Sequence, residues 1–339
     1  MTQPRKTFTA RSPLDLVAAV PYVLGFHPRD SVVLLTFGAG EAPHARVDLP
    51  TAEDAQREVV ELLAEVVERH RVERVALLIY TADPWLAATF HDAALPVFVG
   101  RGVGVVDVLR VGDERVHAAG DPDDPGTTYD LSVHPFTAEQ VVDGVVVESS
   151  RDALAATLQC ADEDDALAVV AAAEEFGAGF EGLPAFLTVQ GVCETVTDHA
   201  RWVQRTIRRH LRTGRPLAPE DAGRLLALVD GVPLRDVAWA EMSRAEASRH
   251  VELWRDLVRR CPRDLLPAAA SLLAFAAWLA GQGALAWCAL DRCLEVDADY
   301  SMADCIAHLL AGAVPPSAWT PIAEDELPAF WSPPDLEAS

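Results

Sequence analysis

The sequence predicts an N-terminal domain of the α/β or α+β class, with a mixed β-sheet and packed helices, followed by an all-helical domain. Three observations predict this fold class. Apolar, strand-like runs occur only before about residue 147, and helical patterns lie between them. After residue 147, helical stretches follow one another without a strand pattern. We therefore expect domains at 1–147 and 148–314, and an acidic, proline-rich tail at 315–339 that is either docked or frayed.

The N-terminal elements follow the order helix, strand, strand, helix, strand, helix, strand, strand. Ser12 and Pro13 favour the start of a short helix that ends near Gly25. The run Ser31–Phe37 is rich in valine and leucine and predicts a buried strand. The later predicted elements are a hairpin strand at 44–49, a helix ending near residue 70, a strand at 75–80, a helix at 85–99, and strands at 103–111 and 114–116. Residues 119–130 contain glycine, proline and aspartate without an apolar period and predict an exposed loop.

The helical domain ends in a pattern that resembles tetratricopeptide units. The predicted helices are 151–159, 163–176, 184–212, 219–230, 235–260, 264–280, 283–296 and 301–312. Trp278 and Gly281 precede a helix with small residues, and Ala298 stands where that family has proline. Trp254 and Pro262 form a similar ending one unit earlier. We therefore expect TPR-like helix pairs at about 235–312, packed against the preceding helices.

Composition excludes several classes of protein. The formal net charge is −24, from 52 acidic and 28 basic residues, which disfavours generic attraction to nucleic acid or to an anionic membrane surface. The longest apolar run, at about 265–280, contains Pro267 and Ser271 and is shorter than the ~20 residues of a membrane-spanning helix. No secretory signal pattern is present, so we expect a cytoplasmic protein. The six cysteines lack zinc-ligand spacing, and we expect them to be reduced and buried.

Several sequence blocks together resemble the DUF4192 proteins, an uncharacterised family of GC-rich actinobacteria. The blocks lie at 14–28, 30–33, 46–50, 272–278 and 283–291. The resemblance covers nearly the whole chain and implies no established activity. Many members carry a Cys-Cys-Pro segment after the sheet, where this chain has Asp121 to Gly126. Any metal or redox role of those cysteines could therefore not operate here.

Two candidate sites lie in the N-terminal domain. The loop before the first strand contains His27 and Asp30, which could act as a general base and its orienting carboxylate. The alternative is a turn in which Asp30 caps backbone amides and His27 packs on the sheet. In the acidic loop, Asp121, Asp123 and Asp124, with Asp130, could bind a divalent cation through oxygen ligands. The alternative there is a solvated loop, since the ligand pattern of an EF-hand is absent.

The helix predicted at 184–212 carries an arginine strip. Positions i, i+4, i+7 and i+11 of one helical face are arginines, with a fifth beside them: Arg201, Arg205, Arg208, Arg212 and Arg209. A separate apolar stripe is formed by Val203, Ile207 and Leu211. The strip could bind a phosphate, nucleic acid or an acidic partner protein. The alternative is a solvated face paired with the chain's own acids, for instance at 162–165 or 174–175.

The leading functional hypothesis is a non-enzymatic protein-interaction or regulatory module that binds a protein partner. The sequence contains no P-loop, GxGxxG, GxSxG or HExxH motif, and we expect no cofactor. One alternative is a hydrolase-like enzyme with a site at strand ends near His27, Asp30 and Asp83. Another is binding of nucleic acid or phosphate through the arginine strip. Association with a second copy of the chain stays open.

Overall fold

The computed structural model describes residues 10–38, 43–142, 146–178 and 190–330 of the chain. It divides into two compact units: Met1–Leu154 with Gly312–Pro315, and Ala155–Ala311 with Pro316–Ser339. The first unit contains a mixed β-sheet with packed helices, and the second, in its described part, is helical. The predicted fold class is therefore confirmed.

The first unit is built on a six-stranded sheet with the strand order β2-β1-β3-β4-β5-β6. The strands are β1 (Ser31–Phe37), β2 (Ala45–Asp48), β3 (Arg74–Tyr80), β4 (Gly104–Val111), β5 (Arg115–Ala118) and β6 (Thr127–Thr128). Strands β3 and β4 pair in parallel, and the other neighbouring pairs are antiparallel. The parallel pair is joined by a helix, as parallel connections require.

Helices cover both faces of this sheet. They are α1 (Pro13–Leu24) on one face, and α2 (Glu53–Arg69) and α3 (Pro84–Gly100) on the other. Helix α4 (Pro135–Val142) contacts α1. Val32 and Leu34 of β1 pack in one core with α2 and α3, whereas Val33 and Leu35 pack in a second core with α1. Successive side chains of a strand point to opposite faces, so the middle of a strand between two helical layers is apolar at successive positions. This explains the continuous apolar run of β1.

The exposed loop predicted at 119–130 also contains a short strand and carboxylate caps. Ala119 is buried, and residues within the loop form β6, which pairs with β5. The carboxylate of Asp124 accepts hydrogen bonds from the amides of Ala118 (2.6 Å) and Gly126 (3.0 Å). These bonds hold the loop against β5, while most of its residues are exposed, as the sequence predicts. Helix α4 was also absent from the predicted elements.

The chain continues into a series of helices. They are α5 (Arg151–Ala156), α6 (Glu163–Ala178), α7 (Gln190–Thr213), α8 (Pro219–Val229), α9 (Val232–Ala240), α10 (Ala247–Arg260), α11 (Leu266–Leu279), α12 (Gly283–Leu294) and α13 (Ser301–Ala311). The predicted start of α7 at residues 184–189 lies outside the described residues. After α13, three short 3₁₀ turns follow at Pro316–Ala318, Glu324–Glu326 and Pro328–Phe330.

The single helix predicted at 235–260 is wrong, because the structure has two helices there. Helix α9 ends at Ala240 and α10 begins at Ala247. The break frees backbone carbonyls that serve tertiary contacts: Glu241 O lies 3.1 Å from His250 Nε2, and Met242 O accepts a bond from Trp319 Nε1. The helical spacing of apolar residues continues through this break, so the sequence pattern did not predict that the helix ends there.

Helix α11 is surrounded by protein. All of its residues from Leu266 to Leu279 are buried, and it contacts α8, α9, α10, α12 and α13. It is thus a core helix, in agreement with the interpretation of the apolar run at about 265–280. Across the described ranges, no helix combines the length and the apolar character that a membrane span requires.

Candidate functional site

The arginine strip lies on α7, a helix with two distinct faces. Val203, Ile207 and Leu211 are buried, whereas Arg201, Arg205, Arg208, Arg209 and Arg212 are exposed. The 3.6-residue period therefore anchors α7 to the core by one stripe and presents the guanidinium groups on another. Such a row of planar donors is suited to recognition of carboxylates or phosphates.

Three arginines of the strip pair with acids of the same unit. Arg208 binds Glu241 through two parallel bonds, Nε to Oε2 at 2.6 Å and Nη2 to Oε1 at 2.7 Å. Arg209 Nη2 lies 2.6 Å from Asp221 Oδ2. The hydrogen bond to Glu241 raises the pKa of Arg208, so this guanidinium stays charged.

The third pair joins α7 to Pro316–Phe330, which we name the C-terminal segment. Arg201 Nη1 lies 2.6 Å from Glu324 Oε2, and this hydrogen bond lowers the pKa of Glu324. Gln204, which is buried, donates to Glu324 Oε2 and to Glu241 Oε1, both at 3.2 Å. One buried amide thus bridges the two acids that face the strip.

The acids that pair with the strip are not those expected from sequence. Asp165, in the predicted acidic cluster at 162–165, pairs with Arg260 of α10 at 3.1 Å instead. The part of the strip formed by Arg205 and Arg212 has no ion pair among the residues that the structure describes. The alternative, in which the strip pairs with acids of the chain itself, therefore applies to three of the arginines. The guanidinium groups of Arg205 and Arg212 stay available to a ligand.

Aromatic side chains extend the surface beside α7. The ring of Trp319, in the C-terminal segment, stacks on Trp239 of α9, with 5.4 Å between centroids and 12° between planes. It also meets the ring of Phe275 of α11 edge-on at 4.8 Å. The ring of Phe330 lies farther along the segment, and its centroid is 4.5 Å from the guanidinium of Arg201 on α7. The surface therefore accepts aromatic groups as well as a carboxylate.

Sequence reasoning missed Gln204, Trp239, Glu241, Phe275 and the whole C-terminal segment as parts of this site. Gln204 carries a local signal, since it lies three residues after Arg201 on nearly the same helical face. The others come from separate stretches of the chain and have no spacing that relates them to α7.

The residues predicted as a possible catalytic site share one edge of the sheet. The β1–β3 register pairs Ser31 with Tyr80, so the segments carrying His27, Asp30 and Asp83 all adjoin this edge. Among the described residues, however, no hydrogen bond joins these three side chains.

Each of the three has its own environment. Asp83 caps α3, and its Oδ1 accepts bonds from the amides of Trp85 (2.9 Å) and Leu86 (3.2 Å). Asp30 adopts a positive φ of 44°, and its backbone carbonyl accepts a bond from Leu49 N. Partial burial lowers the pKa of His27, which favours the neutral imidazole. The geometry brings the segments together without forming an oriented catalytic pair.

The acidic loop uses its carboxylates on its own backbone. Asp121 Oδ1 accepts a bond from the amide of Asp123 at 3.0 Å, Asp124 holds the two amides described above, and Asp130 caps Ser132 N at 2.9 Å. Within the described residues, no group of three or more histidine, cysteine, aspartate or glutamate side chains is arranged to hold a metal ion.

The cysteines differ in exposure, and the expectation that all are buried is wrong for Cys160 and Cys305, which are exposed. Cys288 and Cys293 are buried, and burial raises the pKa of Cys293 to about 12. The side chain of Cys193 lies outside the described residues.

We expect iodoacetamide at neutral pH to modify Cys160 and Cys305 and to leave Cys288 and Cys293 unmodified in the native protein. The thiolate is the reactive form. Burial keeps the reagent from Cys288 and Cys293, and the raised pKa of Cys293 also keeps that thiol protonated. Tandem mass spectrometry after short labelling and trypsin digestion measures this, because fragmentation locates the label on Cys293 or Cys305, which share one tryptic peptide. Equal labelling rates for Cys293 and Cys305 would contradict it, and labelling in denaturant serves as the control.

Comparison with known proteins places the chain beside one family model. The model described as "Domain of unknown function (DUF4192)" matches residues 13–317, most of the chain. No curated protein and no solved structure matches the chain.

Proposed function

The chain belongs to the DUF4192 family, a domain of unknown function, and we propose that it is a non-enzymatic protein-interaction module. In this proposal, the arginine strip of α7 binds an acidic segment of a partner protein. The observation that supports it best is the engagement of Arg201 by Glu324, a carboxylate from a separate segment of the chain.

The open part of the strip has a spacing that suits an extended acidic ligand. Arg205 and Arg212 are seven residues apart on one helical face, which corresponds to about 10 Å along the axis. In the extended polyproline II conformation, which has three residues per turn, residues i and i+3 of a peptide share one face and lie about 9 Å apart. Two acidic side chains at that spacing can therefore meet the two guanidinium groups together.

Charge further favours a peptide over nucleic acid. The protein has a net charge of −24, so its long-range field repels a polyanion, whereas a short acidic peptide meets mainly the local field of the strip. Added salt will weaken the binding of either ligand, and the affinity will fall more steeply for the ligand that makes more charged contacts.

We expect a fluorescein-labelled peptide of repeated Glu-Asp-Leu-Phe units to bind the full-length protein, with an affinity that falls as salt is added. The double substitution Arg205→Glu and Arg212→Glu should weaken binding by about tenfold or more, because two attractive contacts become repulsive. Fluorescence anisotropy measures the dissociation constants, and circular dichroism checks that the helices are retained.

A matched control is the double substitution Arg11→Glu and Arg29→Glu, which changes the net charge equally at exposed sites of the first unit. It should leave peptide binding nearly unchanged. Equal weakening by both double substitutions would mean that only overall charge matters and would reject the strip as the site. Tighter binding of single-stranded DNA than of the peptide, lost with the α7 substitutions, would favour the nucleic-acid alternative.

A further inference from the structure

The C-terminal segment is held to the helical unit by side chains more than by backbone structure. Its described backbone forms only 3₁₀ turns of three residues each. Trp319 provides the first anchor: it stacks on Trp239, and its Nε1 donates to the backbone oxygen of Met242 at 2.9 Å. An irregular peptide fixed by a few side chains on a helical surface is how short segments of one protein bind another.

Three further anchors follow the tryptophan. Glu324 pairs with Arg201, Leu327 is buried, and the ring of Phe330 lies against the Arg201 guanidinium. Thr197 Oγ1 also donates to Ala329 O at 2.9 Å. Arg201 thus contacts two parts of the segment, an acid and an aromatic ring, and fixes their spacing.

The anchors alternate with exposed residues, which makes the segment replaceable. Thr320, Pro321 and Glu326 are exposed. The Arg201–Glu324 pair is itself partly open, with side-chain exposures of 46% and 43%, and ion pairs of this kind contribute little to stability. When the segment is released, the main loss of free energy comes from exposing Trp319 and Leu327 to water. A competing segment that buries the same kinds of side chain would offset this loss.

We infer that the C-terminal segment is a resident ligand of the surface formed by Arg201 and Gln204 of α7 with Trp239 of α9. The protein partner carries a segment of the same chemistry, which displaces the resident one. This inference rests on the proposed function and specifies the ligand. The partner segment has an aromatic residue, an acid, a leucine and a second aromatic residue in the spacing of Trp319, Glu324, Leu327 and Phe330. Further acids of the partner segment, beyond the one that takes the place of Glu324, bind the open arginines Arg205 and Arg212.

A labelled peptide with the sequence of residues 316–330 tests this inference on full-length protein. Binding to the wild type should be weak, because the tethered copy competes at a high effective concentration. Trp319→Ala should lower the dissociation constant of the peptide by about tenfold or more, and Glu324→Gln should lower it in the same direction. Adding Arg201→Glu to Trp319→Ala should abolish the gain.

Trp287→Ala is the matched control, since it removes a partly exposed tryptophan of α12 from the same unit but outside the segment. It should leave the affinity at the wild-type value. Hydrogen exchange measured by mass spectrometry gives a second readout: excess peptide should increase exchange of the resident segment in the wild type.

Equal affinity of the peptide for wild type and both segment variants would overturn the inference. If the Glu-Asp-Leu-Phe peptide still binds through Arg205 and Arg212 in that case, the proposed function stands. If no acidic peptide binds any variant, both fail. Concentration-dependent dimers of Trp319→Ala, seen by light scattering, would identify a second copy as the occupant and would also overturn the inference.

Discussion

Replacing Gly223 with alanine should lower the free energy of unfolding of the helical unit by roughly 2 kcal/mol. Gly223 is buried in α8 where this helix meets α6, and a Cβ atom there would lie 2.6 Å from Ala173 N and 2.7 Å from Val169 O. Both are backbone atoms, so relief requires the two helices to move apart. Urea denaturation followed by tryptophan fluorescence measures the change, because Trp85 is the only tryptophan outside that unit.

Gly177→Ala is the control for this substitution. Gly177 is exposed in α6, and no atom lies within 4 Å of its added Cβ. Alanine there should stabilise the helix by roughly 0.5–1 kcal/mol, because glycine has the greater freedom in the unfolded chain. Opposite signs for the two glycine substitutions are the expected outcome, and a stabilising effect of Gly223→Ala would show that α6 and α8 are not in close backbone contact.

The helical unit should also lose stability as the pH falls from about 6.5 towards about 4, because of His250. This histidine is buried, its Nε2 lies 3.1 Å from Glu241 O, and His210 lies near it. Burial lowers the pKa of His250 to about 4 from 6.5. In this interval the unfolded chain binds a proton that the folded chain excludes, so the loss approaches about 3 kcal/mol.

Urea denaturation at a series of pH values measures this dependence. His250→Gln should be less stable than the wild type at pH 7.5 but should show a shallower loss between pH 6.5 and 4.5, since it removes the proton-binding group. His308→Gln is the control, because the side chain of His308 is 78% exposed and should leave the wild-type slope unchanged. Identical slopes for wild type and His250→Gln would contradict the assignment.

Local sequence patterns were sufficient for the main elements of the fold. Strands β1 and β3 are covered on both faces, so their central residues, 32–35 and 75–79, are all apolar, and these runs predicted both strands. Helix α4 and strand β6 lack such a pattern. Strand β6 has only two residues, and its position depends on the hydrogen bonds of Asp124, which no periodicity encodes.

The sequence predicted the arginines of the candidate site but not the groups that meet them. Helical spacing placed Arg201 to Arg212 on one face of α7, because that geometry is local. The groups that meet this face, Glu241 and Glu324, are distant in sequence and follow no common period with it. The break before α10 was missed for the same reason. The carbonyl oxygens that it frees accept bonds from residues distant in the fold, and no local pattern encodes those bonds.

The complete burial of α11 determines how the helical unit unfolds. In an array of repeats, each repeat contacts only its neighbours, so the array can lose stability one unit at a time from an end. Helix α11 instead contacts five other helices and has no face in water. Detaching any one of them exposes apolar surface of the shared central helix. We therefore expect the unit to unfold as one cooperative block and to lose its structure when any one of these helices is deleted.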